Sequence, residues 1–109
     1  MKPSRVRFEI RLPIHYNDGT EIEPEKHLQT KEEIFDKFGG FIVITVTSGG
    51  WRHPNTSEEY EELMGGFIVD VDKETLDKTI EFFQQYKEIL KERFKQEEIY
   101  IVGYDLYII

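Results

Sequence analysis

Three carboxylates in this sequence are spaced so that they could share a divalent metal ion. Glu9 lies in an alternating segment near the start of the chain, and Asp70 and Asp72 stand two residues apart at the end of a short apolar run. Side chains two residues apart on a strand point to the same face of a sheet. Carboxylates on neighbouring strands can hold Mg²⁺ for phosphoryl transfer. The pattern therefore predicts, as one alternative, a metal-dependent phosphoryl-transfer or nuclease-like enzyme.

Two arginines favour a different role for the same surface. Arg7 and Arg11 flank Glu9 at the two-residue spacing, so they would share its face and neutralise a metal site. They also fit a ladder of cross-strand ion pairs, each worth about 0.2–1 kcal/mol, or a protein interface. We therefore predict Arg7, Arg11, Asp70 and Asp105 as binding residues. This first hypothesis includes no catalytic residue, metal or cofactor.

The segment that holds the only tryptophan is a second candidate binding site. Trp51, Arg52 and His53 lie between a glycine pair and Pro54, which is typical of a loop. Trp and Arg are enriched at the centres of binding interfaces, so we predict that these three residues anchor a partner or a ligand of unknown type. The alternative is that Trp51 packs over the edge of a sheet.

Composition limits the classes of function. The chain has 109 residues, no cysteine and a net charge of −8. This length fits one domain over residues 1–109, and the lack of cysteine excludes disulfides and thiol catalysis. An acidic domain repels phosphate backbones, so nucleic-acid binding is not expected. No apolar run approaches the ~20 residues of a membrane span, and we expect a cytoplasmic protein.

Hydrophobic periodicity predicts four strands and two or three helices. Apolar and polar side chains alternate over residues 5–16, as in a strand with one buried face. Apolar side chains recur at helical spacing over residues 72–94. The other predicted elements are a helix from Thr30 to Phe38, a strand over 41–47, a turn at 48–50, a short helix over 56–64, a strand over 67–71 and a strand over 99–109.

Local signals predict where the helices begin and end. Thr30 and Glu33 form a capping-box pattern, and Asp72 is a predicted N-cap of the long helix. The string Gly-Gly-Phe-Ile-Val occurs at residues 39–43 and again at 65–69. The residue after a helix often takes a positive φ, which glycine reaches at little steric cost. Each glycine pair is therefore predicted to end a helix and begin a strand.

The order of elements predicts an α+β fold of the ferredoxin-like type, βαββαβ, with both helices on one face of a four-stranded antiparallel sheet. The first and third strands should lie in the middle. For the second strand either set of alternate residues fits the open face, since both are apolar. The residues predicted on the face without helices are Arg5, Arg7, Glu9, Arg11 and His15, then Ile68, Asp70 and Asp72, then Ile101, Gly103, Asp105, Tyr107 and Ile109.

The composition of this open face predicts self-association. The second and last strands look apolar on both faces, whereas a solvated face would normally be polar. A contiguous exposed apolar patch indicates a partner. The first hypothesis is therefore a binding or assembly module that forms a homo-oligomer, most simply a homodimer, through its open sheet face.

One local pattern resembles a known group of proteins. Phe38-Gly39-Gly40-Phe41 closes a predicted helix, Gly50-Trp51 follows, and an acidic segment precedes a short apolar strand. Over residues 34–71 this spacing resembles small prokaryotic ferredoxin-like proteins of unknown function. The resemblance implies an α+β sandwich and no particular activity or site residues.

Overall fold

The protein folds as one antiparallel sheet with two long helices, and the computed structural model describes residues 4–109 apart from the side chain of Tyr60. The strands run in the spatial order β2-β3-β1-β4, which is the ferredoxin-like arrangement predicted from the sequence. In chain order the elements are β1 (Arg5–Pro13), α1 (Pro24–Phe38), β2 (Ile42–Arg52), β3 (Glu59–Asp72), a 3₁₀ turn (Lys73–Thr75), α2 (Leu76–Phe94) and β4 (Tyr100–Leu106). In the part of the chain described, no helix is long and apolar enough to cross a membrane.

The alternation in β1 sets the two faces of the sheet. Val6, Phe8, Ile10 and Leu12 are buried, while the odd-numbered residues between them are half-buried on the other side. The buried residues form one core with α1, α2 and β3. Both helices therefore lie on the even-numbered side of β1, and the predicted orientation of this strand is confirmed.

The first helix begins earlier than predicted. It starts at Pro24, a residue tolerated in the first helical turn because its missing N–H needs no partner there. Thr30 is buried in mid-helix, where its hydroxyl donates to the carbonyl of Lys26. Glu33 accepts hydrogen bonds from Arg93 on α2. The capping-box prediction was wrong because a Thr-x-x-Glu spacing also occurs inside a helix, where both side chains can serve tertiary contacts.

The region after β2 is a long hairpin instead of a turn and a helix. Residues 48–50, predicted as a turn, belong to β2, and residues 59–64, predicted as helical, belong to β3. The connection runs from His53 to Glu58, where the His53 N–H donates to the Glu58 carbonyl at 2.8 Å. Pairing between the two strands satisfies the backbone groups that a short isolated helix would leave open, and this tertiary pairing outweighs local helix preference.

The two copies of the glycine repeat have different roles. Gly39 ends α1 with a φ of 76°, as predicted. Gly66 lies inside β3 with a φ of 141°, and a Cβ there would stand 1.8 Å from the carbonyl oxygen of Ile10. The second copy therefore permits the close approach of β3 to β1 and does not follow a helix, so that prediction was wrong.

The faces of β4 are the reverse of those predicted. In register, Asp105 lies opposite Val6 and Gly103 lies opposite Phe8, so the odd-numbered residues of β4 face the helices. A Cβ on Gly103 would stand 2.6 Å from the Phe8 ring, which fixes this register sterically. A shift of one residue exchanges the faces of a strand. The open side of β4 consists of Tyr100, Val102, Tyr104 and Leu106.

The long helix was predicted correctly, but its cap was not. Asp72 occupies the capping position before the 3₁₀ turn and makes no side-chain capping hydrogen bond. Its carboxylate instead accepts a hydrogen bond of 2.8 Å from Arg5. The nearby charge of an arginine thus outcompetes the backbone N–H groups for this carboxylate.

Candidate assembly surface

The open face is the side of the sheet opposite the helices, and it consists of the odd-numbered residues of β1 and their neighbours across the strands. Its central strands carry a stripe of ion pairs, and its outer parts are apolar. From one edge to the other it contains Ile42 and Ile44 on β2, Met64, Ile68, Asp70 and Asp72 on β3, Arg5, Arg7, Glu9 and Arg11 on β1, and Tyr100, Val102, Tyr104 and Leu106 on β4.

The strongest pair on this face joins the two central strands. Arg7 donates from Nε and Nη2 to the two carboxylate oxygens of Asp70, at 2.8 and 2.9 Å. Both side chains are about three-quarters buried, and this two-point geometry is the most specific that an arginine and a carboxylate can form. The hydrogen bonds from Arg7 lower the pKa of Asp70.

The second ion pair of the open face also involves Tyr104, a residue predicted to lie on the helix side of β4. Glu9 accepts hydrogen bonds from the Tyr104 hydroxyl at 2.6 Å and from Arg11 at 2.8 Å. Both hydrogen bonds lower the pKa of Glu9, and the bond from Tyr104 has the larger effect. The same hydrogen bond to the Glu9 carboxylate raises the pKa of Tyr104. No motif identifies Tyr104, because its position depends on the β1–β4 register.

Each carboxylate of the metal-dependent alternative is thus bonded to an arginine. Asp70 pairs with Arg7 and Glu9 with Arg11, while Asp72 pairs with Arg5. The pKa values of Glu9 and Asp70 are lowered, so these two carboxylates are weak general bases near neutral pH. Residues 4–109 contain no group of three His, Cys, Asp or Glu side chains that could hold a metal ion. The geometry instead produces an electrically neutral stripe.

Apolar side chains flank this stripe on both sides. Ile42 on β2 is 50% exposed, and Tyr100 on β4 is 60% exposed. Ile68 and Val102 lie in the same cross-strand row as Glu9 and are half-buried. The predicted apolar flanks are present, although on β4 they come from the even-numbered residues.

The predicted binding residues Trp51, Arg52 and His53 lie at the end of the hairpin. Arg52 forms an ion pair of 2.6 Å with Glu59. The Nδ1 atom of His53 accepts hydrogen bonds from the backbone N–H groups of Asn55 and Thr56. The His53 ring centroid is 6.0 Å from that of Trp51. Along β3 this end is about ten residues from Asp70, roughly 30 Å away. The structure therefore does not bring the two sets of predicted binding residues together.

The hairpin extends beyond the rest of the sheet. The last β1–β3 pair is Pro13 with Met64, so residues 48–63 form a two-stranded ribbon. The radius of gyration is 15.0 Å, compared with about 13 Å for a compact domain of this length. Both strands of this ribbon continue into the four-stranded sheet, which anchors the ribbon at that end.

A groove of about 580 Å³ lies on the other side of the sheet, between α2 and β4. Its lining includes Phe8 and Gly103 on the sheet and Ile80 on α2. Asp105, predicted on the open face, lines this groove and pairs with Lys73 at 3.1 Å.

Comparison with known proteins identifies the fold. No family model matches the chain, and no curated protein matches its sequence. Among solved structures, the chain is similar to a phage SAM lyase in complex with S-methyl-5'-thioadenosine (TM-score 0.63, 16% identity, 96% of this chain and 84% of that one). It is also similar to the divalent ion tolerance protein CutA1 from Ehrlichia chaffeensis (TM-score 0.60, 6% identity, 100% of this chain and 87% of that one). At these identities the likeness shows a shared α+β sandwich.

Proposed function

We propose that this protein is an assembly module that associates with copies of itself through the open face, most simply as a homodimer. The observation that carries the proposal is the pair of apolar flanks on a sheet face that neither α1 nor α2 covers. A face of this kind would be polar if it were solvated. Contiguous exposed apolar patches are typical of protein interfaces.

The charges of the open face support a second copy as the partner. The chain has a net charge of −8, so two copies repel each other at most orientations. On the open face Arg5, Arg7 and Arg11 are each bonded to one of three carboxylates, and the stripe has no net charge. Such a surface can meet its own copy without leaving an unpaired charge buried, which is the costly outcome.

The size of the face limits how tightly a flat contact can bind. Four strands about 4.8 Å apart and about 25 Å long present roughly 500 Å² per copy. Two such faces bury about 1,000 Å², at the lower end of specific interfaces. The open face by itself would give weak association, so a stable assembly needs additional contacts.

Two isoleucines with equal exposure provide the test. Ile42 lies on the open face and Ile89 on α2, and each is 50% exposed. Ile42→Lys should lower the molar mass measured by light scattering, because it places a charge inside the interface. Ile89→Lys should leave the mass of the wild type unchanged. A wild-type protein that stays monomeric at several hundred micromolar, or equal masses for both variants, would rule out the proposal.

A further inference from the structure

The two outer edges of the sheet are open. β2 and β4 are the terminal strands in the order β2-β3-β1-β4, and within residues 4–109 no further strand pairs with either. An edge strand presents a row of unpaired N–H and C=O groups, which is a template for pairing with another chain. β2 is 11 residues long and β4 is 7 residues long, so both edges are substantial.

Apart from the bulge in β2 between Ile44 and Thr47, neither edge carries the usual protection against pairing, which is a run of charged residues or a proline. Residues 42–51 contain no charged residue and no proline. β4 contains one charged residue, Asp105, and Lys73 neutralises it at 3.1 Å. The string Ile-Val-Ile-Thr-Val-Thr in β2 has the high β-propensity and low charge of segments that aggregate when left exposed. A native protein with such an edge is expected to cover it.

We propose that β2 of one copy pairs edge to edge with β4 of a second copy, so that the sheet continues from copy to copy. This inference rests on the proposed self-association and adds the contact that the flat face lacks. The uncharged part of β2, residues 42–51, is long enough to pair with all seven residues of β4. One kind of contact then covers both edges, whereas pairing β2 with β2 would leave β4 open.

Side-chain chemistry fits this pairing on both sides of the sheet. β2 contributes β-branched residues, and the open side of β4 contributes Tyr100 and Tyr104. Aromatic and β-branched residues form favourable cross-strand pairs. On the helix side of the sheet, Val43 is exposed. In the proposed pairing, Val43 of one copy would add an apolar side chain to the lining of the groove next to β4 of the other copy. The groove would then be part of the junction.

The pairing is head to tail, and this determines the kind of assembly. A contact between two different surfaces gives a closed ring if the rotation between copies closes, and otherwise a filament. Strand twist and the bulge between Ile44 and Thr47 both curve the sheet, which favours closure. In a closed ring the open faces lie on the same side of the joined sheet, consistent with their proposed contact.

The absence of cysteine makes the pairing directly testable. Single cysteines can be placed on β2 (Val43→Cys, Thr47→Cys) and on β4 (Tyr100→Cys, Asp105→Cys), with Glu32→Cys on α1 as an exposed control. A bis-maleimide spanning roughly 10 Å tolerates three residues of uncertainty in register. Mixing equal amounts of a β2 variant and a β4 variant should convert up to about half of the protein into cross-linked dimers, because random mixing places the other variant at the reactive edge of about half of the copies. Each variant alone, and any mixture with the control variant, should show only the mass of the uncross-linked chain after denaturation.

A chain with both Val43→Cys and Asp105→Cys should give cross-linked species at multiples of the chain mass, up to the number of copies in a closed ring. Cross-linking of a β2 variant with itself would overturn the proposed pairing. If the protein is oligomeric and none of the four mixtures cross-links, the pairing is also overturned. In either case association through the open face would still stand, and Ile68→Lys tests it without changing either edge strand, because Ile68 lies on the open face of the central strand β3. A monomeric wild type would overturn both proposals, so the two failures are distinguishable.

Discussion

Arg93 on α2 holds Glu33 on α1 through two hydrogen bonds of 2.7 and 2.9 Å. The arginine side chain is only 10% exposed, whereas the carboxylate is 38% exposed. The Tyr86 hydroxyl donates to the same carboxylate at 2.8 Å, and Arg93 also donates to the Thr30 hydroxyl. The two helices are thus joined by one polar cluster at the border of the core.

Glu33→Gln should destabilise the protein by about 2 kcal/mol, because it leaves the nearly buried guanidinium of Arg93 without its charged partner. The free energy of unfolding from urea denaturation measures the change. Glu32→Gln is the matched control, since Glu32 is exposed on the same helix, and it should change stability by less than about 0.5 kcal/mol. Equal losses for the two variants would contradict a specific role for Glu33.

Gly66→Ala should cost about 3 kcal/mol or more. The residue has a φ of 141°, and the new Cβ would meet the Ile10 carbonyl oxygen at 1.8 Å, so β1 and β3 must separate. Gly40 in the first copy of the repeat is the control, because a Cβ there meets nothing within 4 Å. A thermal shift for Gly66→Ala no larger than that for Gly40→Ala would show that the two strands can adjust to the methyl group.

The sequence predicted the fold better than it predicted the site, for a physical reason. In β1 every second residue is apolar, and in α2 the apolar residues recur at helical spacing, so each pattern identifies a single buried face. Both elements were found as predicted. β4 is apolar on both faces, so alternation could not decide which residues face the helices. That choice depends on Gly103 lying over Phe8, a contact between residues far apart in the chain. The β1–β4 register fixed by this contact places Tyr104 on the open face and Asp105 on the helix side.

Tyr104→Phe should raise the pKa of Glu9. The tyrosine hydroxyl donates to the Glu9 carboxylate at 2.6 Å and is the main cause of its lowered pKa. Carboxyl ¹³C chemical shifts followed across an acid titration measure the change. Tyr100→Phe removes a hydroxyl from the same side of the same strand and should leave the Glu9 titration where it is in the wild type. An unchanged Glu9 pKa in Tyr104→Phe would mean that Arg11 alone stabilises the carboxylate.

Stability should begin to fall as the pH drops below about 6.5, the ordinary pKa of histidine. His27 packs its ring edge-on against the buried Phe94 at 5.1 Å, and burial lowers its pKa. Above that pH the imidazole is neutral in both the folded and the unfolded chain. Below it the unfolded chain binds the proton first, so the free energy of unfolding decreases by up to ~1.4 kcal/mol per pH unit.

His27→Gln should remove this loss between about pH 6.5 and 5, measured by urea denaturation at a series of pH values. The further loss below about pH 4.5 should remain in the variant, because Glu9, Glu33 and Asp70 have lowered pKa values and are stabilising only while they are ionised. The two pH ranges therefore separate histidine burial from the ion pairs. A wild-type profile that is flat from pH 7 to 5 would show that solvent reaches His27 in the folded protein.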